Sequence, residues 1–222
     1  MIINSITPEI KLTIFIKKVL PALVIFILFA SETFSQKSSS DSAITAIKNF
    51  RQELNAAYKH PEHSPLDEKS RKKFRKHNFY PINLKYRVIA KLKTTPDEPF
   101  FELKTSSGKT KLYRKYGEVT FMLDAKEYTL NVYQGKALLE KEEYKNYLFV
   151  PFKDHTSGNE TYGGGRYLDL RIPANDDKLW LDFNMAYNPY CAYSDKYNCP
   201  VVPVENYLDT EIKAGILLKQ KH

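Results

Sequence analysis

The sequence has few of the residues that mark common catalytic and metal sites. Its 222 residues include 2 cysteines, 8 glycines and a single tryptophan. Two cysteines do not complete a metal centre by themselves, because such a centre needs further ligands. No Gly-x-Ser-x-Gly segment occurs, which argues against the familiar serine hydrolases. The glycine run at 163–165 lacks the Lys-Ser/Thr continuation of a nucleotide-binding loop.

The apolar runs of the chain are also short. Val19–Ala30 has twelve residues, whereas a membrane-spanning helix needs about 20. Lys17 and Lys18 precede this run and the sequence SETFSQ follows it at 31–36, which is the layout of a secretory signal peptide. We therefore expect cleavage after residue 35, which leaves a soluble protein in the periplasm or outside the cell, without a membrane span. An uncleaved anchor is the alternative.

Positive charge is in excess, with a formal net charge of +8 at pH 7. Much of it comes from the run KSRKKFRK at Lys69–Lys76. In an exported protein such charge favours solubility or loose contact with anionic surfaces. No nucleic-acid-binding motif accompanies it, so we predict no nucleic-acid partner. The sequence predicts no cofactor and does not indicate an oligomeric state.

The first part of the chain after residue 35 has helical periodicity. From Asp41 onwards the apolar residues recur at steps of three and four, and His60-Pro61 ends the pattern. A second, basic helix is expected between Ser64, as its cap, and Arg75. We predict a signal peptide at 1–35, a polar leader and helix at 36–59, and a single β-rich domain at 60–222 to which the helix belongs.

Alternation of apolar and polar residues replaces this period after Pro81 and predicts strands. The expected strands are Leu84–Lys93, Phe100–Thr105, Lys111–Tyr116, Glu118–Leu123, Tyr128–Tyr133, Tyr147–Phe152, Leu179–Phe183 and Ile212–Leu218. Turns are expected at Ser106–Gly108 and at Gly117. The fold class is therefore α+β and mainly β: an antiparallel sheet or open barrel with two short N-terminal helices. An irregular segment rich in Gly, Asn, Tyr and Cys belongs to the same domain.

Three long segments carry a family resemblance. FVPFKDHTSGNETYGGGRYLDL, DFNMAYNPYCAYSDKYNCP and PVENYLDTEIKAG resemble the bacterial family catalogued as domain of unknown function 1684. The resemblance extends upstream to SPLDEKSRKKFRKHNFYPINLKYRVIAKL and so covers most of the chain after residue 35. It implies no established activity. The chain has Ile216 after Ala214-Gly215, where the family usually has Glu, and Glu211 is the residue that could substitute for it.

The glycine–arginine segment and the Asn-Tyr-Cys segment together predict a pocket for a small polar or anionic ligand. Glycine N–H groups and an arginine fork suit an anion, and tyrosine rings with amides suit a polar ring. The predicted ligand-binding residues are Arg166, Gly164, Gly165, Tyr167, Asn184, Tyr187 and Asn188. In the alternative interpretation the glycines only allow a tight turn, and Arg166 pairs with Asp169 or Asp182.

Two further function classes stay open. A hydrolase would use His155, or the carboxylates of Asp169 and Asp182 if they face each other. A structural or interaction protein of the cell envelope would use all of these motifs merely to stabilise its fold. The two cysteines, Cys191 and Cys199, are expected to form a disulfide in an oxidising compartment, with a metal site or free thiols as alternatives.

Overall fold

A computed structural model of the protein describes residues 39–174 and 178–218. The predicted signal peptide lies outside the described residues. The chain divides into two compact units, Met1–Ala46 and Ile47–His222. Of the first unit, residues 39–46 are described, and they are helical. Among the described residues, no helix is both long and apolar enough to cross a membrane.

The helices lie mainly before the sheet. Helix α1 comprises the described residues 39–59, and its end before His60-Pro61 agrees with the prediction. Helix α2 is Glu68–Lys73, and α3 is the single turn Lys136–Leu139. Asp67 caps α2 by accepting a hydrogen bond from the Ser70 N–H at 2.7 Å, so the predicted cap at Ser64 is wrong. The Ser64 hydroxyl instead donates to the Tyr58 carbonyl, at 2.7 Å, and closes the turn after α1.

Eight strands form the sheet. They are β1 (Arg87–Thr94), β2 (Phe101–Lys104), β3 (Thr110–Leu123), β4 (Lys126–Gly135), β5 (Tyr147–Asp154), β6 (Arg166–Arg171), β7 (Lys178–Asp182) and β8 (Tyr207–Leu208). The strand order is β6-β5-β4-β3-β1-β7, all antiparallel. β2 pairs with the first part of β3, and β8 pairs in parallel with β5. Short 3-10 turns occur at Leu84–Tyr86, Glu142–Tyr144, Phe183–Met185, Tyr190–Ala192 and Val204–Asn206.

Three strand predictions need correction. Gly117 is not a turn, because β3 continues through it with a bulge in its pairing to β4. A Cβ atom at Gly117 would lie 2.3 Å from the carbonyl oxygen of Lys93 on β1, so only glycine fits where β3 passes β1. Strand β6 directly follows the glycine run and was not predicted. Ile212–Leu218 is not a strand; it makes one isolated bridge, between Ile216 and Phe79.

The sheet is curled and buries residues on both faces. One face carries the main core, to which β1 contributes Ala90 and Leu92, and Phe183 and Ile212 pack against it from the later chain. The opposite face carries a smaller aromatic cluster whose buried members are Leu103, Tyr113, Tyr133, Phe149, Tyr167 and Val202. The fold is thus α+β and mainly β, with an open antiparallel sheet, as the sequence predicts.

Candidate functional site

A cavity of about 1080 Å³ lies beside α1. Four short segments form its walls. They are the α1 residues Arg51, Gln52 and Asn55, the segment Lys76–Tyr80, the loop residues Asn159 and Glu160, and the C-terminal residues Leu217 and Leu218. None of these segments belongs to a long strand, so their positions depend on hydrogen bonds between them.

Backbone hydrogen bonds hold the walls of the cavity together. The Leu217 N–H donates to the Asn78 carbonyl and the Leu218 N–H to the Glu160 carbonyl, both at 2.9 Å. The C-terminal segment therefore joins the 76–80 wall to the 159–160 loop. The His77 N–H donates to the Asn55 Oδ1 at 2.7 Å, which attaches the same wall to α1. The site is consequently built by long-range contacts.

Three polar side-chain atoms in the cavity wall are buried without a hydrogen-bond partner among the described residues. They are the Nε of Arg51, the Nε2 of His77 and the hydroxyl of Tyr80. His77 and Tyr80 are each only 7% exposed. An unsatisfied buried polar atom costs roughly 1–3 kcal/mol, and native proteins contain few of them. The three atoms therefore have hydrogen-bonding capacity that the described residues leave unused.

The surroundings of His77 keep its imidazole neutral. Its ring packs edge-on against Tyr58, with 4.3 Å between centroids, and against Phe74 at 4.8 Å. Burial among these rings lowers the pKa of His77 to about 4. Its Nδ1 lies 3.4 Å from the Tyr193 hydroxyl, so one ring nitrogen is engaged, and the other is buried without a partner among the described residues. A neutral imidazole in this position can exchange a hydrogen bond with a ligand.

Arg51 places positive charge in the wall. Its terminal nitrogens donate to the Tyr80 and Asn184 carbonyls, at 3.0 and 3.5 Å, and the guanidinium lies 4.5 Å above the Phe79 ring. Burial lowers the pKa of Arg51, and the Asp182 carboxylate opposes this shift. The exposed Lys76 adds a second cation to the wall, and Glu160 is its one acidic residue among those described.

Tyr80 lies next to Glu160. Burial first, and then the neighbouring Glu160 carboxylate, raise the pKa of the Tyr80 hydroxyl well above its usual value. The hydroxyl therefore keeps its proton and can act as a hydrogen-bond donor. Arg51 and Lys76 supply cationic donors, so the wall offers mainly hydrogen-bond donors to an occupant.

A known protein family matches most of the chain. The profile described as "Protein of unknown function (DUF1684)" matches residues 72–216. The chain belongs to this family. The match includes His77, Tyr80, Asn159 and Glu160 of the cavity wall, whereas Arg51 precedes it.

A solved structure resembles this DUF1684 chain over most of its length. It is the solution NMR structure of an uncharacterised protein from Haloarcula marismortui, with 31% sequence identity and a TM-score of 0.66. The alignment covers 83% of this chain and 99% of that one. No curated protein matches the chain. The comparisons thus support the family and the fold; the family is one of unknown function, and the similar structure is that of an uncharacterised protein.

Arg166, the predicted anion-binding residue, lies in the interior. Its guanidinium donates to Asp154 at 2.9 Å, to the Ile212 carbonyl at 2.9 Å and to the Ala214 carbonyl, and the side chain is 1% exposed. These contacts agree with the alternative of an internal ion pair. The prediction that Asp169 or Asp182 is the partner of Arg166 is wrong, because the partner is Asp154.

The other predicted ligand-binding residues lie outside the large cavity. Gly164 and Tyr167 line a smaller one, of about 80 Å³, together with Cys191 and Cys199. Gly165 is buried against β5 and Val202. Asn184 is fully buried, and its amide pairs with both the N–H and the C=O of Asn83, at 2.9 Å each. Both polar atoms of the Asn184 side chain are therefore engaged by the backbone of Asn83.

Tyr187 and Asn188 also contact protein groups. The Tyr187 hydroxyl donates to the Asp169 carboxylate at 2.7 Å. Asn188 is buried, and its Nδ2 donates to the Tyr193 hydroxyl at 3.1 Å, while its Oδ1 has no partner in the described structure. These contacts fix the irregular segment 183–193 on the sheet.

The predicted disulfide between Cys191 and Cys199 is wrong. Both cysteines are free thiols and are not at bonding distance. The backbone N–H of Cys191 donates to the sulfur of Cys199 at 3.2 Å, which holds the two residues close without a covalent bond. The alternative of free thiols therefore describes this structure.

The candidate catalytic residues are dispersed. His155 is exposed, and its Nε2 lies 3.0 Å from the Asp209 carboxylate, a partner the sequence did not indicate. Asp169 lies on β6 and Asp182 at the end of β7, the two strands at opposite ends of the strand order. Asp169 also accepts a hydrogen bond from Tyr147 at 2.7 Å, and Asp182 accepts one from the Asn184 N–H at 3.0 Å. Among the described residues, Asp169 and Asp182 thus have different hydrogen-bond partners.

The sequence analysis did not identify Arg51, His77 or Tyr80 as site residues. Of the three, only Arg51 has a feature in the sequence that could have indicated a role. It lies one helical turn after Ile47 and one before Asn55, on the face of α1 that the apolar residues occupy. A cation on the buried face of a helix is uncommon unless it has a role. His77 and Tyr80 lie in an irregular segment and had no such signal.

Proposed function

We propose that this DUF1684 protein is an exported binding protein that holds a small anionic ligand in the cavity beside α1. The observation that carries the proposal is the set of three unpaired polar atoms of Arg51, His77 and Tyr80 in one cavity wall. A bound ligand would supply the missing partners. The volume of about 1080 Å³ is slightly above the range of small-molecule sites, which span roughly 300–1,000 Å³.

The wall favours a particular ligand chemistry. Arg51 and Lys76 together favour a carboxylate or phosphate group, because both are cationic donors. Amides at Gln52, Asn55 and Asn78 suit hydroxyl or carbonyl groups. Apolar contact with the ligand comes from Phe79, Leu217 and Leu218. The proposed ligand is therefore a small hydroxylated or ring-containing acid or phosphate ester.

Charge around the site supports an anionic ligand. Helix α2 ends in Arg71, Lys72 and Lys73, buries no residue, and leads within three residues to the cavity residue Lys76. A cationic approach raises the rate at which anions associate, and it does so most at low ionic strength. The net charge of +8 acts in the same direction.

Export rests on the signal-peptide pattern at 1–35. The mass of the protein purified from fractionated cells tests this part of the proposal. A periplasmic or secreted protein lacking the first 35 residues is expected. A full-length protein in the cytosol contradicts export and leaves the binding proposal to be tested separately.

Ligand binding is tested with Tyr80→Phe, which removes one hydroxyl from the cavity wall and keeps the ring. Native mass spectrometry of the purified protein, followed by denaturation, identifies a released ligand, and a thermal-shift screen of small carboxylates and phosphate esters provides further probes. We expect Tyr80→Phe to keep or raise the melting temperature of the ligand-free protein. Affinity for the identified compound should fall about tenfold, as expected for one lost hydrogen bond.

Matched variants separate binding from folding. Tyr113→Phe removes a hydroxyl from the aromatic cluster on the other face of the sheet, and Arg114→Met removes a half-buried arginine that bonds Gln134. Both controls should keep full affinity, whereas Arg51→Lys should lose affinity because lysine has no Nε donor. The binding proposal fails if no compound binds, or if Tyr80→Phe and Arg51→Lys bind as tightly as the unmodified protein.

A further inference from the structure

The turn that follows α1 brings together three side chains with metal-ligating atoms. The imidazoles of His60 and His63 and the carboxylate of Glu62 each offer one atom, and these atoms all lie within 4.8 Å of one another. In the described parts of the chain this is the one group of three or more His, Cys, Asp or Glu side chains with such spacing. All three side chains are exposed, so an ion can reach them directly.

The two imidazoles face each other. Their rings are stacked, with centroids 4.5 Å apart and an angle of 20° between the planes. Nitrogen ligands of a tetrahedral ion at about 2.0–2.1 Å lie closer together than 4.8 Å. Imidazole lone pairs lie in the ring plane, so the stacked rings must rotate to direct their nitrogens at one ion, and the exposure of the side chains permits this rotation. The pair is therefore close to a ligating arrangement.

The backbone of the turn is held on both sides. The His60 N–H donates to the Ala56 carbonyl at 3.0 Å, and the Ser64 N–H donates to the His60 carbonyl at 3.1 Å. Pro61 follows His60 and Pro65 follows Ser64, and each proline fixes its own φ angle. The three donors consequently project from a short constrained segment, which reduces the entropy lost when they converge on an ion.

The position at the end of α1 also favours a cation. The last carbonyl groups of a helix carry partial negative charge, and a bound cation near them is stabilised. One contact is lost if Nδ1 of His60 is the ligating atom: this nitrogen accepts a long hydrogen bond, 3.3 Å, from the Glu62 N–H. That N–H is exposed and can bond to water instead, so its release opposes binding only weakly.

From this geometry we propose that His60, Glu62 and His63 form a site for a divalent transition-metal ion of the zinc–copper–nickel class. Two imidazoles and one carboxylate suit these ions better than Ca²⁺ or Mg²⁺, which prefer oxygen ligands. Three protein ligands leave further positions open to water or to an exogenous ligand, so the site binds an exchangeable ion. The proposal does not rest on the ligand-binding cavity.

The test is calorimetric titration of the full chain, without an affinity tag and after chelation, with ZnCl₂, NiCl₂ and CuCl₂. We expect one ion per chain at micromolar affinity. His63→Gln should weaken binding at least tenfold, and Glu62→Gln should weaken it less. His155→Gln is the matched control, since this exposed histidine pairs with Asp209 elsewhere. It should leave affinity and stoichiometry unchanged.

Electron paramagnetic resonance of the Cu²⁺ complex gives an independent readout. Couplings from two imidazole nitrogens are expected, and one nitrogen should be lost in His60→Gln. Because all three residues are exposed, the melting temperatures of the variants should match that of the unmodified protein. The proposal is overturned if none of the three ions binds, or if the double variant His60→Gln/His63→Gln binds them with unchanged affinity. Loss of binding in His155→Gln would likewise overturn it.

Discussion

Arg166 and Asp154 form an ion pair at 2.9 Å inside the protein, where their side chains are 1% and 0% exposed. The second Asp154 carboxylate oxygen accepts hydrogen bonds from the N–H and the hydroxyl of Thr156. The oxygen that meets Arg166 also accepts the Ile212 N–H at 2.7 Å. The pair therefore connects β5 and β6 to the C-terminal segment, which has almost no strand pairing of its own.

Removing one partner of this pair should destabilise the protein strongly, because the other charge stays buried without compensation. For Asp154→Asn and Arg166→Met we expect a loss of about 3–5 kcal/mol in the free energy of unfolding. Urea unfolding monitored by circular dichroism measures it. Lys72→Met, which breaks the exposed pair with Glu68, is the control and should change stability by less than about 1 kcal/mol. A loss below about 1 kcal/mol in both interior variants would contradict the structural role.

The neutral imidazole of His77 should make stability depend on pH. Burial lowers its pKa in the folded state to about 4, whereas an unfolded histidine titrates near 6.5. The unfolded chain therefore binds more protons between these values, so stability that is present above about pH 6.5 decreases as the pH falls towards 4. The full effect is about 3 kcal/mol, since one pKa unit corresponds to about 1.4 kcal/mol.

His77→Phe tests this pH dependence, because phenylalanine keeps the ring and removes the titration. Urea unfolding between pH 5 and 7 should show a smaller slope for His77→Phe than for the unmodified protein. This window lies above the range in which ordinary carboxylates titrate. His155→Gln should keep the original slope. Identical slopes for all three proteins would mean that His77 is not neutral in the folded state.

The two thiols should react at different rates. Cys199 is only 8% exposed, and this burial raises the pKa of its thiol to about 11. Cys191 is half-buried. The thiolate is the reactive form, so iodoacetamide at pH 8 should label Cys191 before Cys199. Mass spectrometry of the native protein over time measures the order. Labelling after denaturation without reductant should reach both residues; no labelling under that condition would contradict the free thiols.

The hairpin between β3 and β4 contains a site where glycine should stabilise the fold. Leu123 pairs with Lys126, and the two residues between them, Asp124 and Ala125, have φ angles of 52° and 58°. Such a two-residue turn favours Asn-Gly or Asp-Gly, because a side chain in the left-handed region costs about 1–2 kcal/mol. Ala125→Gly should therefore raise stability by about 1 kcal/mol.

Thermal unfolding of Ala125→Gly measures this gain. Gly108→Ala is the converse variant. Gly108 has a φ angle of 77° and open space where a Cβ atom would lie, so the variant should have a lower melting temperature because of backbone strain alone. An unchanged or lowered melting temperature for Ala125→Gly would show that the unfolded-state entropy added by glycine outweighs the relief of strain.

The elements with strong periodicity were predictable. Apolar residues every three or four positions identified α1, and His60-Pro61 marked its end. Alternation identified strand β1 through Ala90 and Leu92, which are buried in the main core. The elements that were missed lack a local pattern. Segment 212–218 has the composition of a strand, but its hydrogen bonds go to single residues of distant segments, such as Asn78 and Glu160.

The candidate site was not predictable for the same reason. Sequence pointed to polar residues that cluster along the chain, such as Asn184 and Arg166, and the fold uses both internally. The cavity instead combines α1 with segments about 25, 110 and 165 residues further along the chain. Which residues lie together at such separations depends on tertiary pairing, which no window of the sequence contains. The family resemblance was correct but carries no site residues.

Gly165, the last residue of the glycine run at 163–165, should be essential for the fold. Gly165 has a φ angle of 92°, and a Cβ atom there would lie 2.6 Å from Val202 Cγ2 and 2.7 Å from the Phe152 carbonyl oxygen. Strain and overlap with backbone act together, so Gly165→Ala should cost about 3 kcal/mol or more. At Gly163 the nearest atom to an added Cβ is the Gly158 Cα, at 3.4 Å, and Gly163→Ala should change stability by less than about 1 kcal/mol. Urea unfolding of both variants gives the comparison. Equal effects at the two positions would show that the run provides general flexibility and not the single close approach that carries the chain into β6.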